Sequence, residues 1–172
     1  MQIDPAIEKA LRSMFGHVLR GELEEIPQAI SSFPDDRHFR EALALCAATS
    51  GYVAIQACGN TWPADVALRR IAEKVERAAR SVRKFTLAAS DVYDYLARSV
   101  LGRERTDQVF TSSEDVVNLP ILITASMLLT FRPSEQHWWQ YLDQIEAAIE
   151  VAWALDTSVL PAAVFRAHMP KA

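Results

Sequence analysis

From Ala42 to Ala64 the chain carries no charged residue, and no other stretch restricts its fold as strongly. The heart of this interval, Ala42 to Cys58 (ALALCAATSGYVAIQAC), is too long for one strand and too rich in alanine, so it reads as a helix. Phe39, Leu43, Cys46, Val53 and Ala57 form one apolar stripe at three- and four-residue spacing, and Leu45, Ala48, Tyr52 and Ile55 form a second. A helix apolar on most sides must be surrounded by other helices. The stretch is short for a membrane span, and Thr49, Ser50 and Gln56 keep it only mildly hydrophobic, so no membrane crossing is expected. Gly51 costs about 1 kcal/mol against alanine in a helix interior, a cost offset where another helix approaches closely.

The flanking segments follow the same period. Asp4-Pro5 predicts a capped helix start, with Ile7, Leu11, Met14, Phe15, Val18 and Leu19 on one face and Gly21 at its end. A short helix is expected from about Leu23 to Phe33, and Asp35 or Asp36 caps the central one. Gly59 to Pro63 separates that helix from the next. Leu68, Ile71, Val75, Ala78, Val82, Phe85, Ala89, Val92 and Leu96 keep a four-and-three alternation, which favours one long helix from Ala64 to Leu101. The alternative is a break with Ser90-Asp91 capping a new helix. Gly102 to Ser113 reads as the longest loop. Asn118 and Pro120 suggest a restart into a second uncharged helix, Leu119 to Thr130, and Ser134 is expected to cap a helix burying Trp138, Leu142, Ile145, Ile149 and Ala152. A last short helix is expected from Pro161 to His168.

The expectation is therefore an all-α, single-domain bundle of about six to eight helices around two buried uncharged helices, over the full 172 residues. The N-terminal stretch lacks the apolar core of a signal peptide, which places the protein in the cytoplasm. Cys46 and Cys58 would stand roughly 18 Å apart on one helix, so both are expected as reduced thiols. A net charge of −4 argues against a general nucleic-acid binder. The long seam is compatible with pairing to a second copy.

No nucleophile motif, glycine-rich phosphate loop or metal-binding histidine pair occurs in the sequence. The acidic residues offer one chemistry. Glu22 with Glu25, and Asp91 with Asp94, stand three apart, a spacing that places carboxylates on one helix face where magnesium could be held. In that respect alone the chain resembles the all-α nucleoside-triphosphate pyrophosphohydrolases, whose acidic pairs hold magnesium against a phosphate chain. In that family the pairs are close in sequence; here roughly seventy residues separate them. The resemblance implies a magnesium-dependent enzyme acting on a nucleotide or other phosphorylated substrate. Against it stand ordinary structural roles: charges favoured at a helix start, and Asp94 four residues before Arg98.

Two charged surfaces give the first reading instead, a protein-interaction module without catalytic function, such as an adaptor, an inhibitor or an antitoxin-like partner. The first surface is Trp139 above Asp143, Glu146 and Glu150 on an outer helix face, an aromatic anchor for a basic protein partner. The second is the basic helix. Pairing Asp65 with Arg69, Glu73 with Arg77 and Glu76 with Arg80 leaves Arg70, Lys74, Arg83 and Lys84 for an anionic partner. A third reading has the uncharged helices enclosing an apolar small ligand.

Overall fold

The computed structural model describes residues 2–82, 85–101 and 113–155. Among these residues there are seven α-helices and no strand, which makes the fold all-α. The helices are α1 (Pro5–Arg20), α2 (Ile26–Ser31), α3 (Asp36–Ala57), α4 (Asp65–Val82), α5 (Ala89–Leu101), α6 (Ser113–Phe131) and α7 (Trp138–Leu155). The expected helix at Pro161 to His168 and most of the Gly102 to Ser113 connection lie outside the described residues.

The helix ends follow local chemistry. The Asp4 side chain accepts the Ala6 amide at the start of α1, and Gly21 leaves the helix at φ 72°, a conformation that costs glycine nothing. The amides of Gly21 and Glu22 then close on the carbonyls of Val18 and His17, both at 2.9 Å. Asp35 rather than Asp36 caps α3, accepting the His38 amide at 2.9 Å. The segment read as one helix from Leu23 to Phe33 is a 3₁₀ turn, Leu23–Glu25, followed by α2. Pro27 falls in the first turn of α2, where its missing amide costs no bond.

The centre is α3 against α6, the most extensive helix pairing together with that of α4 and α5. On α6 every residue from Ile123 to Leu128 is buried. Between them the Ser50 and Thr124 hydroxyls share a buried hydrogen bond of 2.8 Å, and the neighbouring Gly51 is buried. Thr124 also donates to the Pro120 carbonyl at 2.7 Å.

Three expectations are corrected. The run from Ala64 to Leu101 is two helices: the Tyr93 hydroxyl donates to Asp65, and in one straight helix those residues would stand about 42 Å apart. Folding back buries Leu87, Val92, Leu96 and Val100 in the shared core, which a protruding rod of that length could not do. Ser90-Asp91 is not the cap, because α5 already begins at Ala89. Second, α6 starts at Ser113 and runs through Pro120, so Asn118 is interior. An interior proline costs about 3 kcal/mol, and burial of Ile121, Ile123, Met127 and Leu128 at roughly 1.5–3 kcal/mol each outweighs it. Third, Ser134 does not cap α7. The His137 amide donates to the Gln140 side chain at 2.9 Å, the return half of a capping box.

Candidate functional site

The start of α7 carries the exposed aromatic surface. His137 lies flat on Trp139, with ring centroids 4.2 Å apart and planes 5° from parallel, and Trp138 meets Trp139 edge-on at 5.8 Å. Trp138 turns partly into the core, as expected, while Trp139 remains 43% exposed. On the adjacent row of the helix, Gln140, Gln144, Ala147, Val151 and Ala154 form an exposed stripe without charge, and Val151 is 56% exposed. This stripe was not anticipated from the sequence, although the spacing of its small and amide residues at three and four was readable there.

The acidic residues beneath Trp139 do not form a free acidic face. Asp143 is exposed but lies 2.5 Å from the Arg12 guanidinium of α1. Glu146 is only 6% exposed and is paired with the same guanidinium through Oε2, while its buried Oε1 has no hydrogen-bond partner. Glu8 completes the arginine's surroundings at 2.9 Å, and Glu150 accepts the Ile3 amide at 2.8 Å. The carboxylates placed on an outer face by helical spacing thus bind α7 to the first helix, through Arg12, and to the residue Ile3 before it. Burial pushes the Glu146 carboxyl up to about 7, against the pull of Arg12 and with added repulsion from Glu8 and Asp143.

On α4 two of the three expected ion pairs form, Asp65 with Arg69 at 3.1 Å and Glu76 with Arg80 at 2.9 Å. Arg77 instead donates to the Glu73 backbone carbonyl. Arg70 and Lys74 are both exposed on α4, and the Lys74 ammonium sits 4.8 Å above the Phe131 ring. Arg83 and Lys84 lie outside the described residues. Helix α4 packs mainly on α5 and α6, so the basic and aromatic surfaces belong to different helices.

The acidic pairs read as magnesium ligands are not brought together. Glu22 follows α1 and is held by His17 and Arg20, which keep its carboxyl below the usual range. Glu25 is exposed in the 3₁₀ turn, and Asp91 and Asp94 lie on α5. Among the described residues no group of three or more histidine, cysteine or acidic side chains stands close enough to hold a metal ion. Asp94 does line a cleft of about 380 Å³ with Arg69, Glu73, Ser90 and Tyr93. A second cleft, about 280 Å³, has Gln56, Asn60, Phe131 and Tyr141 in its walls. The uncharged helices proposed to enclose an apolar ligand pack directly on each other through Ser50 and Thr124. No described helix is long and apolar enough to cross a membrane.

In comparisons with known proteins the chain matches no family model, no curated protein and no solved structure.

Proposed function

We propose that the chain is a protein-interaction module whose contact surface is the outer face of α7, anchored by Trp139. The observation carrying this reading is the state of that side chain: 43% exposed, yet fixed between the His137 ring and the edge of Trp138. A large aromatic already held in place loses little conformational freedom on binding, which is why tryptophan dominates interface energetics. The neighbouring stripe of Gln140, Gln144, Ala147 and Val151 carries no charge to desolvate.

The partner's chemistry differs from the sequence-based expectation. Asp143 and Glu146 are engaged by Arg12, so the surface favours an uncharged, partly apolar protein face over a basic one. The exposed Arg70 and Lys74 on α4 offer a separate patch for acidic groups. Two free cysteines fit a reducing compartment, the cytoplasm. The test is partner capture with wild type and Trp139→Ala side by side, with the melting midpoint of each measured.

A further inference from the structure

We propose that Ser13 is an activated nucleophile that takes the acyl group of small activated esters, with His17 as its base and Glu22 as the residue positioning that base. This activity goes beyond the interaction reading and rests on side chains of α1 and its C-terminal turn rather than on α7.

Ser13 and His17 lie one turn apart on α1, so their side chains share a face. The Ser13 Oγ stands 3.3 Å from His17 Nε2, and His17 Nδ1 stands 2.9 Å from Glu22 Oε2. Glu22 is beyond the helix end; it returns to His17 because Gly21, at φ 72°, lets the Glu22 amide close on the His17 carbonyl. The third member of the constellation therefore depends on a glycine turn.

A carboxylate only accepts hydrogen bonds, so its contact places the imidazole proton on Nδ1 and leaves the Nε2 lone pair facing Ser13. The Arg20 Nη2 atom, 3.2 Å from Nδ1, is then a close neighbour rather than a donor to it; Arg20 donates through Nε to Glu22 at 2.8 Å. The serine is also oriented unlike other helical hydroxyls of this chain. Ser31, Ser99, Thr124 and Thr130 each donate to the carbonyl four residues earlier, which removes the hydroxyl from chemistry. Ser13 faces its base instead.

Ser13 is exposed and His17 half-buried, so a small ester reaches the oxygen from solvent. Arg20 lies over Gly16, its Nη1 3.1 Å from where a Cβ would stand, and supplies positive charge on this face. In the reaction the Ser13 Oγ bonds to the ester carbonyl carbon as its proton passes to Nε2. Collapse breaks the bond from that carbon to the leaving oxygen, and Nε2 returns the proton to the departing alcohol. The products are O-acyl-Ser13 and the free alcohol.

The experiment treats the full chain with p-nitrophenyl acetate and locates acetyl groups by peptide mass spectrometry, alongside Ser13→Ala, His17→Gln and Glu22→Gln, each checked by thermal melting. Acetylation is expected at Ser13, slowed on the order of a hundredfold in His17→Gln and less in Glu22→Gln. Acetyl groups confined to lysines and the N-terminus, or equal Ser13 labelling in folded His17→Gln, would overturn the proposal. Should His17→Gln not fold, wild-type labelling of Ser13 no faster than that of the exposed Ser31 and Ser32 would do the same.

Discussion

Arg12 on α1 pairs with Glu146 on α7, 134 positions later in the chain, and the same guanidinium contacts Glu8 and Asp143. Glu146 is buried with one oxygen unpartnered. The Glu146 carboxyl binds its proton more tightly in the folded chain, at about 7 against 4.5. Its stabilising contribution is thus complete below about pH 4.5 and is lost as pH rises through 7. Glu146→Gln is expected to flatten this part of the stability profile by roughly 1–2 kcal/mol, allowing for screening at the seam. Urea melts of both proteins from pH 4.5 to 8 check it; an unchanged slope in the variant contradicts it.

The Ser50–Thr124 bond joins the two central helices where no water competes. Ser50→Ala is expected to cost about 1–2 kcal/mol, since Thr124 retains its bond to the Pro120 carbonyl. In a double-mutant cycle with Thr124→Val the second substitution should add less than it costs alone, a coupling of about 0.5–1 kcal/mol.

The turn between α4 and α5 depends on Leu87, which is fully enclosed. Leu87→Ala is expected to lower stability by about 2–4 kcal/mol. A loss below about 1 kcal/mol in chemical denaturation would show that the segment does not anchor the fold-back.

The two thiols differ in environment. Cys46 is wholly buried and its thiol is pushed up to about 12, while Cys58, at the end of α3, is half-buried and raised by partial burial alone. Iodoacetamide is expected to label Cys58 first in the native protein and both in denaturant. Equal native rates would contradict the placement of Cys46.

Helix identity was legible where a local signal fixed it. Asp4-Pro5 and Gly21 bound α1 as read, and the charge-free run from Ala42 became part of α3. Of the four-and-three seam, Leu68, Ile71, Val75, Val92 and Leu96 are buried as read while Ala78, Phe85 and Ala89 are only partly so, and period alone cannot tell a rod from two helices folded on one core. Glu146 shows the same limit at the site. A carboxylate three and four residues from Asp143 and Glu150 has the pattern of a solvated face, yet Glu146 is buried and paired with the remote Arg12. Trp139 was placed on the outside because adjacent tryptophans cannot both face inward; its stack on His137 depends on the capping turn. The Ser13–His17 spacing was visible as well, whereas the return of Glu22 required the backbone closure at Gly21.

The central claim is that Trp139 anchors a protein contact without supporting the fold. The most direct measurement immobilises wild type and Trp139→Ala, quantifies by mass spectrometry what each retains from cell extract, and records both melting midpoints. The account predicts a retained protein whose capture falls at least about thirtyfold in the variant, the size of a 2 kcal/mol anchor, with the midpoint within about 2 °C. Identical retention by the two, or a midpoint lowered by about 8 °C or more, would contradict it.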